Sequence, residues 1–218
     1  EIQRVLHCSF DMTAGPLCRF GVDRKANILY GCIHHSIADG RSMQILLEAI
    51  AAGEVKNETR DWSVRRYAAY EALPEVIAEQ QASVERYVEM LGDTPARLEV
   101  DFAVPDSYYR SSITLDGGRR AALEAYCRQE KISLFSFALG IMHQAMSAYS
   151  HESFAIGTAY DARPAQFHDT VGMFVNTVLI PFGKGVEASK ETLKELNDRW
   201  SRDILPLART PYDMITAA

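Results

Sequence analysis

The chain has 218 residues, 47% of them hydrophobic and 24% charged, with a formal net charge of −6. That balance excludes a disordered polymer, and no run approaches the roughly 20 apolar residues a membrane-spanning helix needs. An acidic chain without a basic stripe is also a poor nucleic-acid binder, so neither nucleic acid nor membrane is expected as a partner.

Taken in chain order, residues 28–35 are apolar and β-branched and read as a buried strand, followed by turn chemistry at Asp39-Gly40. From Ser42, the apolar positions Met43, Leu46, Leu47 and Ile50 repeat at helical spacing, and Gly53 stands where that helix should stop. Residues 54–61 read as a loop. Residues 64–73 and 75–91 read as helices parted by Pro74, the second with a buried stripe of Ile77, Val84, Val88 and Leu91. Residues 92–109, with Pro95 and Pro105, are the candidate crossing between two lobes. A strand is expected over 111–115 and a helix over 119–130. Ser133 is the expected N-cap of a helix to Tyr149 that is apolar on nearly all sides and therefore belongs inside a core. Strands over 153–160 and 175–182 and an amphipathic helix over 188–207 complete a mixed α/β class.

Cys8, Cys18, Cys32 and Cys127 form no Cys-x-x-Cys pair and read as reduced thiols of a cytoplasmic protein. The chain opens on Glu1 without a signal segment, and its last residues look like the amphipathic part of something that continues, which suggests a portion of a larger protein.

The sharpest chemistry lies in His34-His35-Ser36-Ile37-Ala38-Asp39-Gly40, at a strand-to-helix junction. Adjacent strand residues point to opposite faces, so only one histidine can look into a given cleft. An imidazole there can take a proton from an attacking amine or hydroxyl at neutral pH. Asp39 can accept backbone N–H bonds of the turn or pair with an arginine, and Gly40 allows an approach that a Cβ would block. A histidine pair satisfied in a core, with Asp39 as a plain helix cap, accounts for the residues equally well. No metal site is expected, since the histidines diverge and no third ligand follows at suitable spacing. His7, His143, His151 and His168 have no patterned neighbours and read as surface or core residues.

The His-His-x-x-x-Asp-Gly segment resembles the signature of the chloramphenicol-acetyltransferase-like superfamily, in particular of the condensation domains of nonribosomal peptide synthetases. Further segments are similar in the family's order: Phe10-Asp11 through Gly15-Pro16-Leu17 to Arg19, Tyr87 to Gly92, Gly157-Thr158 to Arg163, Val171-Gly172-Met173-Phe174-Val175-Asn176-Thr177, and Thr210-Pro211-Tyr212-Asp213. The resemblance implies a two-lobed sandwich with mixed sheets flanked by helices, residues 1–100 belonging to the N-terminal lobe and 101–218 to the first part of the C-terminal lobe. It implies that the chain is about half of a longer domain, whose buried faces at Ile28 and Leu134 would leave the 218 residues molten or aggregating alone.

The same resemblance puts His35 in the catalytic place, as base, orienting partner or stabiliser of the tetrahedral intermediate, with the Gly40 backbone N–H as candidate oxyanion donor. His34, Asp39 and Arg163 would support the site, Asp39 and Arg163 as a clamp, and Ser42 and Asn176 would line the substrate path. The implied activity is a condensation-type acyltransferase that forms an amide, less often an ester. Its substrates are phosphopantetheine thioesters on peptidyl or acyl carrier proteins beside neighbouring synthetase domains, with no tightly bound cofactor. A stand-alone acyl-CoA-dependent transferase and a catalytically silent recruitment platform are the alternatives. Ala159 and Ala162 depart from the family pattern around Arg163, as does Arg41, where an aromatic residue is frequent.

Overall fold

A computed structural model describes residues 2–7, 9–53, 64–95, 110–150, 152–183 and 190–218. The described elements run α1 (Ile2–His7), β1 (Cys18–Asp23), β2 (Ile28–Ile33), α2 (Gly40–Ala52), α3 (Val64–Glu71), α4 (Pro74–Leu91), α5 (Gly117–Glu130), α6 (Leu134–Ser147), β3 (Phe154–Asp161), β4 (Val175–Phe182), α7 (Lys190–Arg199) and α8 (Tyr212–Ala217). They form two two-stranded sheets, β1 with β2 and β3 with β4. The chain divides into two compact units, one of residues 1–79 with 161–176, the other of 80–160 with 177–218. The expected lobe boundary at residue 100, all but the first four residues of the crossing expected over 92–109, and the loop expected over 54–61 lie outside the described residues.

In the first unit β1 and β2 pair antiparallel, from Cys18 opposite Ile33 to Asp23 opposite Ile28. Asp23 Oδ1 accepts from the backbone N–H of Lys25 and Ala26, and Asn27 takes a left-handed φ of 53°, a conformation its short polar side chain tolerates. Each strand covers a glycine of the other with an aromatic ring. A Cβ on Gly31 would stand 2.5 Å from Phe20, and one on Gly21 would stand 2.6 Å from Tyr30, so a side chain at either position would displace the ring that covers it. The hairpin is not the buried strand expected over 28–35, because Phe20, Val22, Ile28 and Leu29 are all exposed. A hairpin with one partner strand has two faces to cover, and this unit covers neither fully.

Helix α2 begins where its cap dictates. Asp39 is extended (φ −117°, ψ −172°) and its side chain accepts from Ser42 N, while Gly53 ends the helix with a φ of 67°. Of the expected stripe, Met43, Leu47 and Ile50 are exposed and Leu46 is half-buried, and the residue that α2 buries is Ser42.

In the second unit Asp116 caps α5 by accepting from Arg119 N, and Ser133 caps α6 by accepting from Ser136 N at 2.9 Å. Asn197 of α7 ties down the start of α6 by accepting from Ser133 N and Ser136 Oγ. The two helices approach closely at Gly140, where a Cβ would stand 2.3 Å from Leu193. Helix α6 buries one face only: Leu139 and His143 are inside, Leu134, Ile141 and Met142 outside, contrary to the all-round burial expected of it. The core gathers Leu139, Phe154, Ile156, Val178, Ile180, Phe182, Leu196 and Ile204. Residues 111–115 form no strand and Ile113 is 88% exposed, because their alternation finds no strand to pair with among the described residues. The described part of the helix expected over 188–207 stops being α at Arg199 and passes through a π turn (Trp200–Ile204) to a 3-10 turn (Leu205–Leu207). Pro206 has no N–H, and its ring opposes the carbonyl four residues earlier.

Tyr87 of α4 is fully buried, whereas its neighbour Val88, expected in the buried stripe, is exposed. The Tyr87 hydroxyl donates to Leu179 O and accepts from Leu179 N, both at 2.9 Å, completing a peptide edge of β4; burial pushes the phenol up to about 12. Tyr87→Phe leaves both backbone groups unpaired and is expected to cost about 1–3 kcal/mol in chemical denaturation.

His143 stacks on Phe182, with ring centroids 4.3 Å apart, and its Nε2 has no partner among the described residues. Burial foremost, with the nearby Arg199 charge, holds its imidazole below the ordinary value against a hydrogen bond that the ring donates to the Gly183 backbone. The unfolded chain therefore takes this proton first, and stability declines as pH falls below about 6.5. His143→Phe is expected to flatten that decline in thermal unfolding followed between neutral and mildly acid pH.

Candidate active site

The chain leaves β2 at Ile33 and enters α2 at Gly40 through a turn bonded at both ends: His34 N donates to Leu17 O at 2.8 Å, and Ile37 N to His34 O at 3.1 Å. The two histidines are held differently. His34 Nδ1 accepts from Ser36 N and lies 2.8 Å from Ser36 Oγ, so the neutral ring keeps its proton on Nε2. Its ring meets the edge of Phe10, and the Arg19 guanidinium lies 4.1 Å from the centre of the Phe10 ring. His35 is exposed, and its Nδ1 lies 2.9 Å from the Ala38 carbonyl. A carbonyl only accepts, so Nδ1 carries the proton and the lone pair of the neutral ring sits on Nε2.

Beneath the turn lies a buried polar cluster. Arg163 donates from one terminal nitrogen to Asp39 Oδ1 at 2.7 Å and from the other to Asp161 Oδ1 at 2.7 Å, while its Nε donates to Thr170 O. The Asp39 and Arg163 side chains are 0% and 2% exposed. Asp39 Oδ1 also accepts from Ser42 N, and Asp39 Oδ2 accepts from Phe174 N at 2.9 Å. Burial pushes the Asp39 carboxyl up, but the bonds from Arg163, Ser42 and Phe174 outweigh it and hold it at about 2. The pair is therefore ionised at neutral pH. Apolar cover comes from the Phe174 ring, 4.4 Å from the Arg163 guanidinium carbon, and from Tyr67 and Phe167 packed on Phe174.

Ser42, expected along the substrate path, belongs to this cluster instead. It is 0% exposed, and its hydroxyl accepts from Arg163 and from Gly172 N, leaving one proton to share between Asp39 Oδ1 and Gly172 O. A hydroxyl with four polar neighbours has no capacity left for a substrate. Asn176, near the start of β4, is half-buried. A Cβ on Gly40 would meet nothing within 4 Å, so the steric need expected for this glycine does not come from the described residues. As the first residue of α2, its N–H has no intrahelical acceptor.

Sequence reasoning missed His168. It accepts at Nε2 from an Arg41 terminal nitrogen at 3.0 Å, with Asp169 Oδ1 3.6 Å from the same nitrogen. Nothing in local pattern marks the pair, because the partners are 127 residues apart. Among the described residues there is no cluster of histidine, cysteine and carboxylates able to hold a metal ion, and no helix long and apolar enough to cross a membrane.

A family model described as Condensation domain matches residues 1–217. The nonribosomal peptide synthetase kk1B of Curvularia clavata is 29% identical over 220 residues, covering 88% of this chain and 2% of that protein. Among solved structures, the condensation domain of the Monacolin K polyketide synthase MokA aligns with a TM-score of 0.78 at 18% identity, over 96% of this chain and 52% of that one. The starter condensation domain of rhizomide synthetase, solved with C8-CoA and Leu-SNAC, aligns with a TM-score of 0.71 at 14% identity, over 95% of this chain and 50% of that one. The structural likenesses establish the α/β fold, of which this chain spans about half the length of those solved chains.

Proposed function

The chain belongs to the condensation-domain family, and from that premise we propose that it carries the acyl-transfer centre of a nonribosomal peptide synthetase. The reaction joins an acyl or peptidyl thioester, presented on the phosphopantetheine arm of a carrier protein, to an acceptor amine or, less often, a hydroxyl. Carrier proteins and neighbouring synthetase domains are the partners.

The observation that carries this reading is the exposed His35 with its lone pair on Nε2, on a turn pinned by a buried ion pair. The acceptor nitrogen attacks the thioester carbonyl carbon as His35 Nε2 receives its proton. A C–N bond forms, the carbonyl oxygen becomes an oxyanion, and the C–S bond then breaks as the thiol leaves with that proton. Gly40 fits the oxyanion-donor role because, as the first residue of α2, its N–H has no helical acceptor. His34, braced by Ser36 and Phe10, and the Asp39–Arg163 pair support the turn, while Asn176 is the remaining candidate for the substrate path.

The C8-CoA held by the rhizomide synthetase domain favours a second reading, in which the donor is an acyl-CoA. The intact protein, supplied with one acyl group either on a carrier protein or on coenzyme A, distinguishes them when the acylated acceptor is measured by mass spectrometry. Carrier-dependent product is expected. Equal turnover from acyl-CoA alone would replace the carrier reading, and no product from either donor would leave a recruitment platform.

A further inference from the structure

We infer that Arg41 and His168 are positioning residues for this reaction, an outer latch that fixes the orientation of the His35 turn; the inference rests on the acyltransfer reading above. Three side chains of the first turn of α2 reach the segment after β3. Asp39 and Ser42 meet Arg163, Gly172 and Phe174 in the buried cluster. Arg41 projects about 100° around the helix from Ser42 and is bonded elsewhere, to His168 at 3.0 Å. One focus of bonds fixes where a helix end lies, but a second, displaced anchor is needed to fix its rotation.

That rotation matters to the chemistry. His35 is oriented through its Nδ1–H by the Ala38 carbonyl, and Ala38 immediately precedes the capping residue Asp39. A tilt of the first turn of α2 swings that carbonyl and the imidazole with it. The outer anchor is also built to be exclusive. Arg41 Nε is buried without a partner among the described residues, so the hold of this guanidinium rests on its terminal nitrogen, facing Nε2 of the exposed His168 and the more distant, also exposed Asp169. His168 accepts only through an unprotonated nitrogen, and glutamine can substitute for that acceptor.

The test uses the intact protein with carrier-bound donor and acceptor, and thermal unfolding of every variant. His168→Leu is expected to lower kcat about tenfold while KM for both substrates stays within about twofold. His168→Gln is expected to return kcat to within about twofold of the parent. Arg41→Leu provides an independent route, and the double variant is expected to be no slower than the slower single one, as for two ends of one bond. An unchanged kcat in His168→Leu, a rise in KM alone, or losses that multiply in the double variant would each overturn the latch. His35→Ala run alongside separates the levels: if it too retains full turnover, the role given to His35 fails and the latch with it; if it alone loses turnover, only the latch fails; and no product from the parent itself would mean that the acyltransfer reading fails.

Discussion

Replacing Asp39 by alanine is expected to destabilise the protein by about 3–5 kcal/mol, because removing one member of a buried ion pair strands the other. Arg163 would lose its 2.7 Å partner while its side chain stays 2% exposed, and Phe174 N and Ser42 N would lose their acceptor as well. The remaining bond to the partly exposed Asp161 places the cost toward the lower end of that range. Asparagine is not expected to rescue, since its amide nitrogen must face a donor on either side, Phe174 N on one and Ser42 N with Arg163 on the other. The pH dependence has a definite sign. The folded carboxyl is held at about 2 against an ordinary value of 3.8, so its contribution is complete above about pH 4 and is lost as pH falls toward 2. Denaturant midpoints of parent and Asp39→Ala should therefore differ at neutral pH and converge on acidification; parallel curves down to pH 2 would show that the carboxylate is not the source.

The second large effect separates chemistry from folding. His35→Ala is expected to lower turnover by about 10²–10⁴, the range for removing a positioned proton acceptor, while unfolding shifts little. The side chain is exposed and its bond to Ala38 O is a single contact at the end of a turn that Asp39 and Arg163 already hold. Single-turnover transfer from a carrier-bound donor is the measurement, because it excludes product release. A His35→Ala rate within a few-fold of the parent would remove the imidazole from the reaction and leave positioning alone to explain transfer.

What could be read from the sequence was what neighbouring residues decide. Asp39, Ser133 and Gly53 mark helix ends because caps act within three residues, and β4 occupies 175–182 as its apolar run requires. The failures concern partners. Residues 111–115 alternate like a strand but pair with nothing described, and β2 and α2 carry apolar faces whose cover is not written in their own periodicity. The π turn after Arg199 follows from Pro206, a signal present in the sequence and outweighed by the amphipathic pattern around it. At the site, the segment from His34 to Gly40 was legible as a unit. The saturation of Ser42 was not, because three of its polar neighbours lie 121 to 130 residues away. Arg41 with His168 escaped for the same reason.

The ion pair that pins the histidine turn joins residues 124 positions apart. At about 5–20 residues per second, a ribosome that has just made Asp39 needs about 6–25 s to make Arg163. Throughout that interval a nascent chain holds the complete His34–Gly40 segment with its carboxylate unpaired, and Arg163 is the residue whose emergence closes the turn. A frame assembled this late in synthesis ties the closing of the His34–Gly40 turn to translation speed between these two codons, so a pause there prolongs the time His35 spends without it.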